Sequence, residues 1–184
     1  MQEALDRAAE APLPRTLIDI LRDTTEQYPD ASAVEDADGA VSYAELLAQV
    51  WRTAAVLREQ GVSQGDRVGI RMTSGRRDLY IAILGAMAAG AAYVPVDADD
   101  PQERADLVFR EARIVGMITD AGYLPADTSD ARQLFSSAAP HPSTSAVPVV
   151  TPPTVDDDAW IIFTSGSTGV PKGVAVSHLS LIHI

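Results

Sequence analysis

Between Thr164 and Gly173 the chain reads Thr-Ser-Gly-Ser-Thr-Gly-Val-Pro-Lys-Gly. The hydroxyls of Thr164, Ser165, Ser167 and Thr168 are hydrogen-bond donors, and Lys172 adds a mobile positive charge. Gly166, Gly169 and Gly173 let the backbone approach a ligand closely, so successive N–H groups can point into one concavity. The guest that suits such a set is a phosphate chain. Trp160-Ile161-Ile162-Phe163 predicts a short buried strand ahead of the loop, and Val174-Ala175-Val176 is an apolar run too brief for a helix. The stretch therefore reads as strand, loop, strand. A plain hairpin loop is the simpler alternative, but an unbroken Gly/Ser/Thr run closed by Pro171-Lys172-Gly173 exceeds what a turn needs. A P-loop would need Gly-Lys-Ser/Thr opening a helix, and the dinucleotide fingerprint would need a first Gly-x-Gly. Neither is present.

The run from Thr164 to Gly173 resembles the phosphate-loop signature of adenylate-forming (AMP-binding) enzymes, the group of acyl-CoA synthetases, luciferases and nonribosomal peptide synthetase adenylation domains. The resemblance implies that Thr164, Ser165, Gly166, Ser167, Thr168, Gly169, Lys172 and Gly173 bind the β- and γ-phosphates of ATP, taken with Mg2+, while a substrate carboxylate attacks the α-phosphate. In that family the acidic magnesium ligand, the adenine and ribose contacts, the amino-acid pocket and a late lysine that stabilises the adenylate all follow this loop. The resemblance thus implies no catalytic residue and no metal ligand among these 184 residues. Because oriented charge at the reacting phosphate is usually the largest catalytic contribution, these residues alone are expected to show no measurable adenylation. Family members run on into a carrier domain bearing a phosphopantetheine arm, which makes that domain the implied partner, beside ATP and an amino acid.

Other segments resemble the same family and supply the elements that position the loop. Thr16 is a predicted cap for a helix through Leu17, Ile18 and Leu21 that ends before Pro29. Asp38-Gly39 is a predicted turn between Ala33-Val34-Glu35 and Ala40-Val41. Ser42 and Glu45 form a predicted capping box for a helix running to Gly61, and Val41 to Leu46 resembles the first core motif of adenylation domains. Gly65 to Met72 reads as a turn and a buried strand. Leu79 to Val96 holds 18 residues without a charge. That length raises the possibility of a membrane span. Gly85, Gly90 and Pro95 interrupt it, and a buried helix from Arg76 to Ala89, a turn at Gly90 and a strand Ala92 to Val96 is the better reading. Ala89 to Asp97 with Pro101 and Arg104 resembles the second core motif; Tyr93 is read there as a core aromatic. Pro101 begins a helix to Ala112, and Ile114 to Thr119 is a predicted strand.

This order implies an α/β fold of helices layered on a mostly parallel sheet: the N-terminal part of the large subdomain of adenylate-forming enzymes, and incomplete. Residues 1–15 read as a flexible lead-in and 16–178 as the N-terminal portion of an adenylation domain. Within it, 121–158 is a Pro/Ser/Thr-rich connection, with one short element at Leu134 and Phe135, and Asp156-Asp157-Asp158 is a solvated lead-in to a strand. Residues 179–184 resemble the in-frame translation of a transposon end used in sequencing-library preparation, and are expected to be a non-native tail. His178 and His183 are not read as a catalytic pair, since no nucleophile or orienting group accompanies them. Val96 to Arg104 and Asp156 to Phe163 resemble the poly-lysine synthetase-like subgroup.

The chain carries 14 Lys and Arg against 26 Asp and Glu, a net charge of −12, which argues against nucleic acid or an anionic membrane as partner. With no cysteine there is no disulfide framework or thiolate chemistry, and a cytoplasmic address fits. The functional expectation is part of an ATP-dependent, amino-acid-activating ligase of nonribosomal peptide synthesis. The alternatives are part of an acyl-CoA synthetase, against which the Ala92 to Asp97 wording leans, and a non-catalytic phosphate-binding or partner-binding module.

Overall fold

A computed structural model describes residues 14–126, 152–164 and 171–183. The elements run α1 (Leu17–Gln27), β1 (Ser32–Asp36), β2 (Gly39–Ser42), α2 (Tyr43–Glu59), β3 (Arg67–Arg71), α3 (Arg77–Ala88), β4 (Ala92–Pro95), α4 (Gln102–Ala112), β5 (Gly116–Thr119), β6 (Gly122–Pro125), β7 (Asp158–Thr164), β8 (Lys172–Ser177) and α5 (His178–His183). A six-stranded sheet has the order β6-β5-β3-β4-β7-β8, and β1 pairs with β2 in a separate hairpin. The four inner strands β5, β3, β4 and β7 are parallel, while β6 and β8 are antiparallel edges.

From β3 the chain steps to β4 on one side, then crosses back to β5 on the other. Right-handed connections therefore place α3 and α4 on opposite faces. Two apolar clusters follow from this. One joins α1, α2 and α3 to Val68, Ile70 and Ile118. The other packs Ala105, Val108, Phe109 and Ala112 of α4 on Val94, Val96 and Ile161.

The helix starts follow local rules. Thr16 accepts from Asp19 N at 3.1 Å while Asp19 accepts from Thr16 N at 3.0 Å, and Ser42 and Glu45 repeat this reciprocal box. α3 is different, because Arg76 makes no side-chain cap. Its first N–H, on Arg77, is instead accepted by Asp36 of the β1–β2 hairpin at 2.9 Å, and the same carboxylate takes the Arg77 guanidinium. That guanidinium holds the Asp36 carboxyl well below the usual carboxylate range, helped by the Arg77 N–H and opposed by burial. Since the native carboxylate takes its proton at lower pH than the unfolded one, the pair stabilises the fold at neutral pH and loses that contribution on acidification. Asp36→Asn is expected to lower the urea midpoint at about pH 7 and to match the parent increasingly closely towards about pH 3. A constant gap across that range would contradict it.

Several expectations need correction. The hairpin tip is Ala37-Asp38, with Asp36 registered on Gly39, which follows the tip at φ +112°. Pro101 is the N-cap of α4 and not its first residue. The strand expected from Ile114 begins at Gly116, because Arg113 ends α4 in the left-handed region at φ 53° and Ile114 is spent in the return turn. The expected connection 121–158 contains β6, paired antiparallel with β5, and the first residue of β7. Leu134 and Phe135 lie outside the described residues. The strand expected to be buried, Trp160 to Phe163, is buried on one face only: Ile161 is 5% exposed but Ile162 is 39% exposed. The uncharged run resolves into α3, a turn at Gly90 (φ +83°) and β4. Among the described residues no helix is long and apolar enough to cross a membrane.

Candidate phosphate-binding site

β7 and β8 form an antiparallel hairpin beside β4, as strand, loop and strand were expected to do. β7 and β8 pair from Asp158↔Ser177 to Thr164↔Lys172, so the hairpin closes on a threonine and a lysine at its mouth. Directly opposed residues share a face, which sets Thr164 and Lys172 side by side, both exposed. Ser165, Gly166, Ser167, Thr168 and Gly169 lie outside the described residues. Gly173 is described, and its neighbours give it a packing role: a Cβ there would meet Phe163 Cζ at 2.8 Å, the ring of its own registered partner.

The mouth sits at the carboxyl end of the parallel strands, where ligands bind in open α/β sheets. Tyr93 is registered on Trp160, so Thr164 at the end of β7 lies beyond the same end of the sheet as the loop after β4. At that end Arg71 crosses from β3 to the β4–α4 loop. It donates to Asp100 O at 2.8 Å, to Ala98 O at 3.4 Å and to the Gln102 side chain. The loop is held further by Asp99 N on Asp97 Oδ1 and by the Arg104–Asp100 ion pair, each at 2.9 Å. A cleft of about 270 Å³ lined by Arg71, Ala98, Thr119, Asp120 and Ala121 lies there. A second, of about 240 Å³, runs along the α4 side of the hairpin, between Arg67 and Glu111 and the residues Phe163, Pro171 and Gly173. Arg71, read in the sequence only as part of a buried strand, closes β3, which has an arginine at each end.

The hairpin base is fixed by a different set. Asp157 accepts from Thr154 N and Gln64 Nε2, both at 2.7 Å, and from Thr154 Oγ1 at 3.0 Å. Burial works to raise its pKa, and these hydrogen bonds hold it below the ordinary value. The middle residue of the Asp156-Asp157-Asp158 run is thus a turn organiser. Tyr93 and Trp160 form a tilted ring pair with centroids 5.9 Å apart, and burial pushes the Tyr93 hydroxyl pKa up. Among the described residues no group of three or more His, Asp or Glu side chains could hold a metal ion.

Comparison with known proteins places this arrangement in a class. The family described as AMP-binding enzyme matches residues 21–184, and the chain belongs to it. Syringomycin synthase SyrB1 of Pseudomonas syringae pv. syringae is 40% identical over 177 residues, covering 93% of this chain and 28% of the relative. Tyrocidine synthase 3 of Brevibacillus parabrevis is 31% identical, with 97% of this chain and 3% of the relative covered. The N-terminal subdomain of NpsA from Klebsiella oxytoca, solved in complex with 3-hydroxyanthranilyl-AMSN, superposes with a TM-score of 0.69 at 29% identity, covering 89% of this chain and 41% of that one. An artificially fused adenylation–PCP di-domain from the same organism gives 0.70 at 30% identity, covering 91% and 34%. The chain therefore spans less than a third of the curated relatives named here and less than half of the solved chains.

Proposed function

We propose that this chain is the N-terminal portion of a nonribosomal peptide synthetase adenylation domain, which joins an amino acid to ATP as an aminoacyl adenylate for transfer to a carrier thiol. The observation that carries the reading is the hairpin that closes on Thr164 and Lys172 at the carboxyl end of a parallel sheet, in a chain of the AMP-binding family. In the proposed step a carboxylate oxygen of the amino acid attacks the α-phosphorus, the bond to the α–β bridging oxygen breaks, and pyrophosphate leaves with that electron pair. Lys172 and the hydroxyls of Thr164, Ser165, Ser167 and Thr168, with the N–H groups near Gly166, Gly169 and Gly173, hold the β- and γ-phosphates. They neutralise charge as it moves onto the leaving group.

Magnesium would accompany ATP, with its protein ligand supplied by a later segment of the family's domain. The acceptor would be a phosphopantetheine thiol on a carrier domain; relatives that include one support this partner. Adenylation in the cytoplasm, where ATP is abundant, is part of the same proposal.

The test is amino-acid-dependent exchange of radiolabelled pyrophosphate into ATP, run on the longer synthetase carrying this segment and on the 184-residue chain. Exchange by the former and none by the latter is expected. Exchange driven by fatty acids but by no amino acid would move the assignment to the acyl-CoA synthetase branch.

A further inference from the structure

Between buried Val96 and buried Ala105 the chain turns from β4 into α4, and none of residues 97–104 is buried. With no buried side chain to seat it, this loop owes its position to hydrogen bonds. Several are internal: Asp99 N and Asp100 N donate to Asp97, and Arg104 pairs with Asp100. The last backbone bond to the neighbouring strand runs from Val96 N to Ile70 O at 3.0 Å. Past it, among the described residues, the hydrogen bonds that reach 97–104 from the sheet all come from half-buried Arg71, on Ala98 O, Asp100 O and the Gln102 side chain.

The loop leaves β4 beside the mouth of the hairpin. Tyr93 is registered on Trp160, and the same step along both parallel strands sets Val94 beside Ile161, Val96 beside Phe163 and Asp97 beside Thr164. Packing agrees, because Val94, Val96 and Ile161 share one apolar cluster and Phe163 lies against it. Adjacent strands are about 4.8 Å apart, so Asp97, Asp99 and Asp100 bring three carboxylates close to Thr164. Phosphate held there would meet like charge. In the sheet β3 and β7 flank β4 on opposite sides, so a tether from Arg71 draws the loop away from the hairpin.

We propose that Arg71 is a positioning residue for the phosphate site: by tying residues 97–101 back to β3 it keeps their carboxylates off the phosphates held at Thr164. The link to phosphate rests on the function proposed above, whereas the tether itself does not. A guanidinium suits the task, since its fixed fork of donors can serve two carbonyls and a side-chain amide together. A lysine ammonium gathers its donors at one point and does not span that set.

The test is amino-acid-dependent pyrophosphate exchange by the longer synthetase carrying this segment, with ATP varied. Arg71→Met is expected to raise the KM for ATP about fivefold at about 0.1 M salt, the scale of one like-charge contact at about 4 Å in water. The turnover number should change less, because repulsion of the bound phosphates is already present before the bond breaks. High salt should shrink the effect by screening it. Arg71→Lys keeps the charge without the fork and should raise KM as well. Asp99→Asn removes one of the three charges and keeps the Asp99 N–H on Asp97, so in the Arg71→Met background it should recover part of the loss. An unchanged KM in Arg71→Met, a rise of the same size at high salt, an Arg71→Lys that matches the parent, or no relief from Asp99→Asn would each overturn the proposal. Gln102→Leu removes one anchor at an exposed position and should raise KM in the same sense by less, which decides the matter if the Arg71 variants do not fold; no rise there would overturn it. Amide hydrogen exchange at residues 97–101, followed without nucleotide, should quicken in Arg71→Met and reads the tether alone. Unquickened amides would overturn the tether, whereas absence of ATP-dependent activity in the parent would defeat the phosphate reading and leave the amide result standing.

Discussion

Lys172→Ala, made in a synthetase that carries this segment, is expected under the function proposed above to slow amino-acid-dependent pyrophosphate exchange by about 10²- to 10³-fold, the scale for removing one preorganised donor from a developing charge. Lys172 opens β8 and is exposed, with Thr164 its registered partner, so the substitution removes a charge at the loop mouth without disturbing the core. Its ammonium is a compact point charge on a flexible stem, able to follow pyrophosphate as negative charge shifts onto it. The loss should therefore fall mainly on kcat, because an interaction that strengthens in the transition state lowers kcat and kcat/KM together. Lys172→Arg keeps the charge with a wider, planar head and should recover part of the rate. A change confined to the KM for ATP would mean that Lys172 grips the ground state and transition state alike. An unchanged rate would remove it from the site.

What the sequence made legible, and what it did not, divides along the range of the interaction. The capping boxes at Thr16/Asp19 and Ser42/Glu45 are complete within four residues, and both helices begin where those residues place them. The start of α3 is not legible in this way, because its acceptor, Asp36, lies 41 residues away on a hairpin that only the folded chain brings near. β6 was hidden for a related reason. Gly122-Tyr123-Leu124-Pro125 sits at the head of a Pro/Ser/Thr-rich stretch, and Pro125 fits a strand because, among the described residues, β6 is an edge of the sheet. At the hairpin, hydrophobicity predicted burial on both faces, yet Ile162 and its partner Val174 are 39% and 53% exposed. An apolar run records that a strand has something to pack on, not how many of its faces are covered within these residues. The candidate site divides in the same way: Thr164, Lys172 and Gly173 belong to one contiguous motif, whereas Arg71 comes to the β4–α4 loop only through the parallel pairing of β3 with β4. In the sequence Gly173 offers backbone freedom, and the Phe163 ring against it is a separate reason for a glycine there.

The contact between α2 and α3 makes the second large expectation one of stability. Gly85 lies mid-helix in α3, where alanine would ordinarily stabilise a helix by about 1 kcal/mol. Gly85→Ala is nevertheless expected to destabilise the fold by about 1 to 3 kcal/mol, the range for overpacking a close-fitted core. A Cβ at this position would lie 2.5 Å from Thr53 Cγ2 and 2.7 Å from Thr53 Cβ. Thr53 cannot turn away, since a β-branched side chain has few rotamers and its Cβ is fixed to the backbone. The helices themselves must separate, and they carry the larger of the two apolar clusters: Val50, Ala54 and Leu57 on α2 with Ile81, Ala82 and Ala86 on α3. Thr53→Ala removes the Cγ2 contact and leaves the Cβ contact, whereas Thr53→Gly removes both. A double-mutant cycle followed by urea denaturation should therefore show a favourable coupling between Gly85→Ala and Thr53→Gly, and a smaller one with Thr53→Ala. If Gly85→Ala alone raises the midpoint, the helix-propensity gain has won and the two helices can part without loss. If it lowers the midpoint but neither change at Thr53 couples to it, the close approach is not what sets the cost.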